Sequence, residues 1–315
     1  MSTRLPQVVI LRKQIAVEKI IEDFQIIVNH HLLEKNKTSI HSIQAKIFIQ
    51  LIYANYYHIT QNTISELEYL ERAIAIYDAN SFHKQENPLD YISVYTRIID
   101  IYKKRDDETF YNKIEALRQF DQILDFQKHV ANERIFFHTY QAELEHLIYN
   151  HKFDEGHQMM QHILKQIHIN KFNLEPYYLI GMYYQFACIC LINKSVSQSL
   201  KHINYILNEF DFSDRPNTFI KAEILNVLIH FELKNYKLVL HSLANFKKKY
   251  AKTFKINTLE KKILKLIERF CNDPYLKKSV IEFNSLYKKI NKMDIDTTSS
   301  NIIYLKYIDF KRLER

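Results

Sequence analysis

Glycine is almost missing from this chain, with 2 residues in 315. That scarcity excludes devices that need backbone without a side chain, such as a Gly-rich phosphate loop or a GxSxG nucleophile elbow. Proline is scarce too, at 5, and tryptophan is absent. Few residues therefore suit the turns of β-hairpins, whereas helices joined by Asn, Asp, Lys and Ser turns need neither. The composition predicts an all-α protein. Cysteine occurs only as Cys188, Cys190 and Cys271. Cys188 and Cys190 lie two apart on a predicted helix and point to different sides, so neither a zinc set nor a disulfide framework is indicated. No apolar run approaches the roughly 18 residues of a membrane span, and the N-terminal residues have charges on both sides of a very short apolar segment, unlike a signal peptide. A reducing cytoplasm is expected, with no membrane partner.

What remains is a hydrophobic content of 47% with 25% charged residues, the balance of a folded chain. The clearest pattern lies in Glu175 to Phe210. Tyr183, Phe186, Ala187 and Cys190 fall at i, i+3, i+4 and i+7, one stripe of a first helix. Asn193-Lys194-Ser195 interrupts it, and a second helix carries Leu200, Ile203, Ile206 and Leu207, with Ser199 as a small residue where the two must approach closely. Neither helix can bury its stripe alone, so each hairpin must stack on a neighbour. The flanking segments repeat the pattern. Leu144, Leu147, Phe153, Gly156, Met160 and Ile163 match Ala187, Cys190, Val196, Ser199, Ile203 and Ile206; so do Val227, His230, Tyr236, Val239, Leu243 and Phe246. From Phe153 to Val196 to Tyr236 the period is 43 and then 40 residues, within the range of two-helix repeats.

The segments YNHKFDEG (149 to 156) and KNYKLV (234 to 239) resemble the inter-helix turn of tetratricopeptide repeats, followed by that family's aromatic and small positions. The family's tryptophan has no counterpart, and its proline after the second helix is not at the matching places. The resemblance covers residues 130 to 250 well and the rest loosely. It implies an α-α superhelix of antiparallel helix pairs and a binding scaffold, and it carries over no catalytic residues.

Along the rest of the chain, apolar periodicity predicts a long helix over 7–33, or two with a break, that is largely covered, and a first hairpin over 40–58 and about 63–78 with Thr63 or Ser65 as cap. Glu66 stands there where later hairpins have Gly156 or Ser199. Residues 81 to 88 read as a loop, 89–104 as a helix, and Asp107 as the cap of a helix over 108–126. Helices over 257–271 and 274–289 follow. The expected organisation is one helical-repeat domain over 1–292, with 293–315 as linker and short tail or capping helix.

Three constellations bear on function. Glu143 with His146 and Asp154 with His157 place a carboxylate and an imidazole one turn apart on each of two helices, as in carboxylate-bridged di-metal sites. No further carboxylates can be assigned, so these read as solvated helix ends, and neither metal nor cofactor is expected. Between Lys247 and Asp294, fourteen Lys or Arg face five Asp or Glu, an excess of nine against +8 for the whole chain. Lys247, Lys248, Lys249, Lys252, Lys261, Lys262 and Lys265 could contact phosphates of a nucleic acid or an acidic partner; a solvated helix face is the alternative. Tyrosine is abundant at 22, and Tyr177, Tyr178, Tyr183 and Tyr184 occupy more than one helix face, so some could line a groove; packing between adjacent repeats with the hydroxyl in solvent is the alternative. The aligned positions Tyr140, Tyr183 and Glu223 are the candidates for a groove formed by successive first helices. The sequence thus points to a non-enzymatic adaptor that binds a peptide or helix of another protein, with nucleic acid as the alternative and an enzyme third.

Overall fold

The computed structural model describes residues 19–30, 41–103, 107–120, 128–170, 172, 174–250 and 258–272, with isolated positions 285 and 288. Expected features over 7–18, 31–40 and 121–126, the helix over 274–289 and the tail over 293–315 lie outside these residues. The described chain is helical and contains no strand. After a helical segment over 19–28 come α1 (Ile43–Ile59), α2 (Thr63–Asp78), α3 (Ser81–Glu86), α4 (Pro88–Tyr102), α5 (Asp107–Phe120) and α6 (Lys128–Tyr149). Then follow α7 (Phe153–Asn170), α8 (Pro176–Ile192), α9 (Val196–Glu209), α10 (Pro216–Glu232), α11 (Tyr236–Tyr250) and α12 (Thr258–Asn272). The chain divides into two compact units, Met1–Ala142 and Glu143–Arg315, with the boundary inside α6.

Four connections share one geometry. Gln61, His151, Lys194 and Lys234 have φ of 59°, 58°, 61° and 60° and stand two residues before the helices that open at Thr63, Phe153, Val196 and Tyr236. Around Lys194, its N–H bonds Leu191 O and Ser195 N–H bonds Cys190 O; around Lys234, its N–H bonds Phe231 O and Asn235 N–H bonds His230 O. The same pair of bonds recurs at Gln61 and Asn62, and at His151 and Lys152. This is the Schellman arrangement, which closes the last carbonyls of a helix through one left-handed residue. In the next step the residue after it caps the following helix, as in Ser199 N–H to Ser195 O and Val239 N–H to Asn235 O. The chain thus reverses in three residues without glycine.

The first unit is built on α1 against α2, α2 against α3 and α4, and α4 against α5. Its core includes Leu70, Ala73 and Tyr77 of α2, Ile98 and Ile99 of α4, and Phe110 and Leu117 of α5. Residues 81–86 form the short helix α3 where a loop is expected. His83 stacks on Tyr77 with centroids 5.8 Å apart, Lys84 pairs with Asp78 at 2.7 Å, and the Asn87 amide donates to His83 O, so contacts beyond local propensity fix this turn. The cap of α2 is neither Thr63 nor Ser65 but Asn62, whose Oδ1 accepts from Ser65 N–H at 3.1 Å. A cap by Asp107 falls on a side chain outside the described residues. In the N-terminal segment Ile20, Ile26 and Ile27 are exposed rather than covered, and Val28 is buried.

In the second unit α8 packs on α7, α9 and α10, while α9 packs on α10, α10 on α11 and α11 on α12. Three neighbours explain why α8, expected to show one stripe, is buried on nearly every side from Tyr178 to Ile192. The aligned register holds: Leu144, Leu147, Met160 and Ile163, then Ala187, Cys190, Ile203 and Ile206, then Val227, Leu243 and Phe246 are all buried. The fourth residue of each post-turn helix is buried as well, at Glu66, Gly156, Ser199 and Val239. A small side chain is not demanded there. A Cβ on Gly156 would meet Ile189 at an ordinary 3.5 Å, and only Ser199 exploits its size to donate to Ala187 O at 2.7 Å. At Gly181 the approaching group is the far end of a flexible side chain. Any Cβ there would overlap the Arg215 guanidinium, which lies over the Tyr177 ring at 4.3 Å and donates to Tyr177 O at 2.9 Å.

A lysine at a left-handed position carries a steric cost of roughly 1–2 kcal/mol that glycine avoids. Lys234→Gly is therefore expected to raise the midpoint of thermal unfolding by roughly 2–4 °C and Lys234→Val to lower it. Unfolding followed by circular dichroism checks both signs.

Candidate functional site

The polar interruptions of α10 define the site. This helix begins with Pro216 and buries Phe219, Ile220, Ala222, Ile224, Leu225 and Val227. Against that background Glu223 and Asn226 stand one turn apart on the same face. They open on a cleft of about 320 Å³ between α10, α11 and the end of α9. Leu207, Phe219, Val227 and Phe246 give it apolar walls, and Glu223, Asn226, Ser242, Asn245 and Lys249 give it polar groups. Asn226 Oδ1 is buried and accepts no hydrogen bond among the described residues. A buried acceptor without a donor costs roughly 1–3 kcal/mol.

Glu223 is held from α11. Lys249 Nζ donates to its Oε1 at 2.8 Å and the Tyr250 hydroxyl donates to the same oxygen at 3.0 Å. Although burial opposes the charge on Lys249, its hydrogen bond and proximity to Glu223 hold the ammonium above its ordinary pKa. Burial raises Tyr250. Tyr183 turns to α9 instead: its ring lies 4.3 Å from Tyr205 and 5.6 Å from His202. Tyr140 belongs to the first unit, where it packs on Phe136 and under Arg118 at 4.4 Å. The three aligned positions are thus each half-buried against their own neighbours, and Glu223 lines the cleft.

The lysines separate into two groups. Lys247 pairs with Glu268 at 2.5 Å and Lys249 with Glu223, which takes both out of a free cationic stripe. Lys248, Lys261, Lys262 and Lys265 are exposed, the last three on one side of α12 opposite the buried Ile263, Ile267 and Phe270. Lys252 lies outside the described residues.

The first unit has its own cavity of about 460 Å³, lined by His58, Gln61, Thr63, Glu66, Arg97, Asp100 and Ile101. Glu66 is buried in its wall. Arg97 Nη2 donates to it at 2.8 Å and His58 Nδ1 at 3.0 Å, while Arg97 Nη1 reaches Asn55 at 2.8 Å. A carboxylate can therefore occupy the position of Ser199 because α1 and α4 supply its partners.

Glu143 and His146, expected as solvated, are both buried; the Asn150 amide lies 3.0 Å from His146 Nε2. Among the described residues no three or more His, Cys, Asp or Glu side chains converge as a metal site. The cysteines are free and buried, and burial pushes Cys188 and Cys271 up to about 12 and Cys190 to about 11, far from a thiolate nucleophile. No described helix is long and apolar enough to cross a membrane. No protein-family model matches the chain, and no curated protein or solved structure matches it.

Asn226 and the role of Lys249 beside it were not read from the sequence. The signal was present as Glu-x-x-Asn at i and i+3 within the apolar stretch from Ala222 to Ile229, which breaks the stripe on one face.

Burial, then Arg134, lowers His138 to about 4; burial, then Lys201 and His157, lowers His202 to about 4. In the unfolded chain both imidazoles take up a proton near pH 6.5, so the unfolded state binds more protons between about pH 6.5 and 4. Stability is accordingly expected to fall as pH drops through that window, by a few kcal/mol for the two together. Urea unfolding at several pH values checks this, with His202→Leu expected to flatten the dependence.

Proposed function

We propose that the chain is a non-enzymatic binding scaffold, an array of antiparallel helix pairs similar to tetratricopeptide-type superhelices, that receives a peptide or helix of another protein. The cleft between α10 and α11 is where the second unit receives it. The observation that carries this reading is Asn226: a buried acceptor without a donor in the wall of an open cleft is completed by an incoming N–H. The surroundings suit a polypeptide. Carboxamides of Asn226 and Asn245 offer a donor and an acceptor each, as a peptide bond does, and Phe219 and Phe246 offer apolar contact for a side chain. Free buried thiols fit a reducing cytoplasmic setting.

A second reading rests on Lys248, Lys261, Lys262 and Lys265, exposed cations that could follow a phosphate backbone.

Panning a random-peptide display library on the full chain tests the first reading. Enriched peptides that bind saturably are expected, and Asn226→Leu is expected to weaken them about tenfold while raising the unfolding midpoint, because it removes a buried acceptor without a partner. No enrichment, or binding indifferent to Asn226→Leu, would overturn it. For the second reading, fluorescence anisotropy with labelled duplex DNA is expected to show affinity falling steeply with salt. Neutralising Lys261, Lys262 and Lys265 together should reduce the slope of log K against log salt by about three. No binding at low salt would remove that reading.

A further inference from the structure

Lys249 does more than pair with Glu223. Its ammonium faces three aromatic rings, with Nζ 5.8 Å from the centroid of Phe212, 5.4 Å from Phe219 and 5.1 Å from Tyr250. Each ring comes from a different element, and each is fixed. Phe212 sits in the turn between α9 and α10, where the Asp214 carboxylate accepts from Asp211 N–H at 2.9 Å. Phe219 and Tyr250 are buried. Phe212 stands nearly perpendicular to Phe219, at 84°, and is tilted 40° from Tyr250, so the rings meet as walls and not as a stack. With Glu223 as the remaining side, the set has the composition of a receptor for a cationic group.

Comparison with Lys84, another lysine held against two rings, separates structural from exchangeable packing. Lys84 lies 4.6 Å from Tyr91 and 5.2 Å from Phe120 with Asp78 as counter-ion, and its side chain is only 15% exposed. The Lys249 side chain is 50% exposed and lines the cleft of about 320 Å³. Lys84 is a pin within the core, whereas the head of Lys249 can leave its rings for water without opening the fold.

We propose that Phe212, Phe219, Tyr250 and Glu223 form a binding site for a methylated ammonium group, occupied in the free protein by Lys249 as an internal ligand that the incoming group displaces. The choice of methylated ammonium follows from hydration. A primary ammonium gains three hydrogen bonds in water and holds only a half-exposed ion pair here, which contributes little. A quaternary ammonium gives up far less hydration on entering an aromatic enclosure and keeps both the ring attraction and the attraction to the carboxylate. The carrier can be a small molecule such as choline or the side chain of trimethyllysine in a peptide; the cage recognises what they share. The site shares Phe219, Glu223 and Lys249 with the cleft of the peptide reading but makes no use of Asn226, so loss of peptide binding in Asn226→Leu and loss of tetramethylammonium binding are separate outcomes.

The test is a titration of the full chain with tetramethylammonium chloride, followed by line broadening of its methyl resonance, with sodium chloride at equal ionic strength as control. Wild-type protein is expected to bind saturably, and Lys249→Ala to bind about tenfold more tightly because the competitor is gone. In the Lys249→Ala background, Glu223→Gln is expected to weaken binding about tenfold. Choline and a trimethyllysine peptide are then compared, and the tighter of the two identifies the carrier. Circular dichroism verifies that each variant is folded. No saturable binding by folded Lys249→Ala, no binding by wild type, or binding insensitive to Glu223→Gln would each overturn the proposal.

Discussion

The rest of the structure depends on the turn in which one left-handed residue reverses a helix. Gln61, His151, Lys194 and Lys234 each close the last carbonyls of one helix while the next residue caps the following one. Because the connection has a fixed length, it sets the register of the second helix against the first. That is why the fourth residue of each post-turn helix is buried, whether it is Glu66, Gly156, Ser199 or Val239. Such a turn leaves no slack for the helices to slide, so the apolar stripes of each pair meet at the same depth every time. The chain accepts backbone strain at these positions in place of glycine.

A fixed register also dictates what happens when a polar residue falls at an interior position. Ser199 solves the problem locally by donating to Ala187 O. Glu66 cannot, and draws in His58 from its own hairpin and Arg97 from α4. The ion pair thus ties α1, α2 and α4 together where a smaller residue would leave them joined by apolar contact alone. Removing one partner from such a buried carboxylate costs far more than the pair contributes, since the charge that remains has no compensation.

The α10 and α11 cleft shows the same logic carried to the surface. Glu223 and Asn226 occupy neighbouring turns of one face, but only Glu223 has its partners within the hairpin. Around Lys249 the rings of Phe212 and Phe219, from a turn and the helix that follows it, meet Tyr250 of α11 because α10 and α11 pack together. An open cleft, a polar atom without a partner and a cation held loosely by aromatic walls are the features on which the proposed recognition rests. They stand beside thiols that burial keeps protonated.

The all-α class, the hairpin turns at Asn193 and Asn235 and the buried register from Leu144 to Phe246 were legible in the sequence, because they follow from the 3.6-residue period and from the scarcity of glycine and proline. Local chemistry suffices for them. The short helix over 81–86, the burial of Glu143 and His146 and the covering of α8 on every side were not legible, since each depends on which neighbours the fold brings against a segment. The basic third shows the difference most plainly. Its charge excess is a property of the sequence, whereas the division into lysines engaged by Glu223 or Glu268 and lysines left to solvent depends on carboxylates about twenty residues or more away along the chain. Periodicity fixes which face of a helix is apolar. Only tertiary packing decides which polar groups that face must also accommodate, because a hydrogen-bond partner is chosen by distance in space and not by distance in sequence.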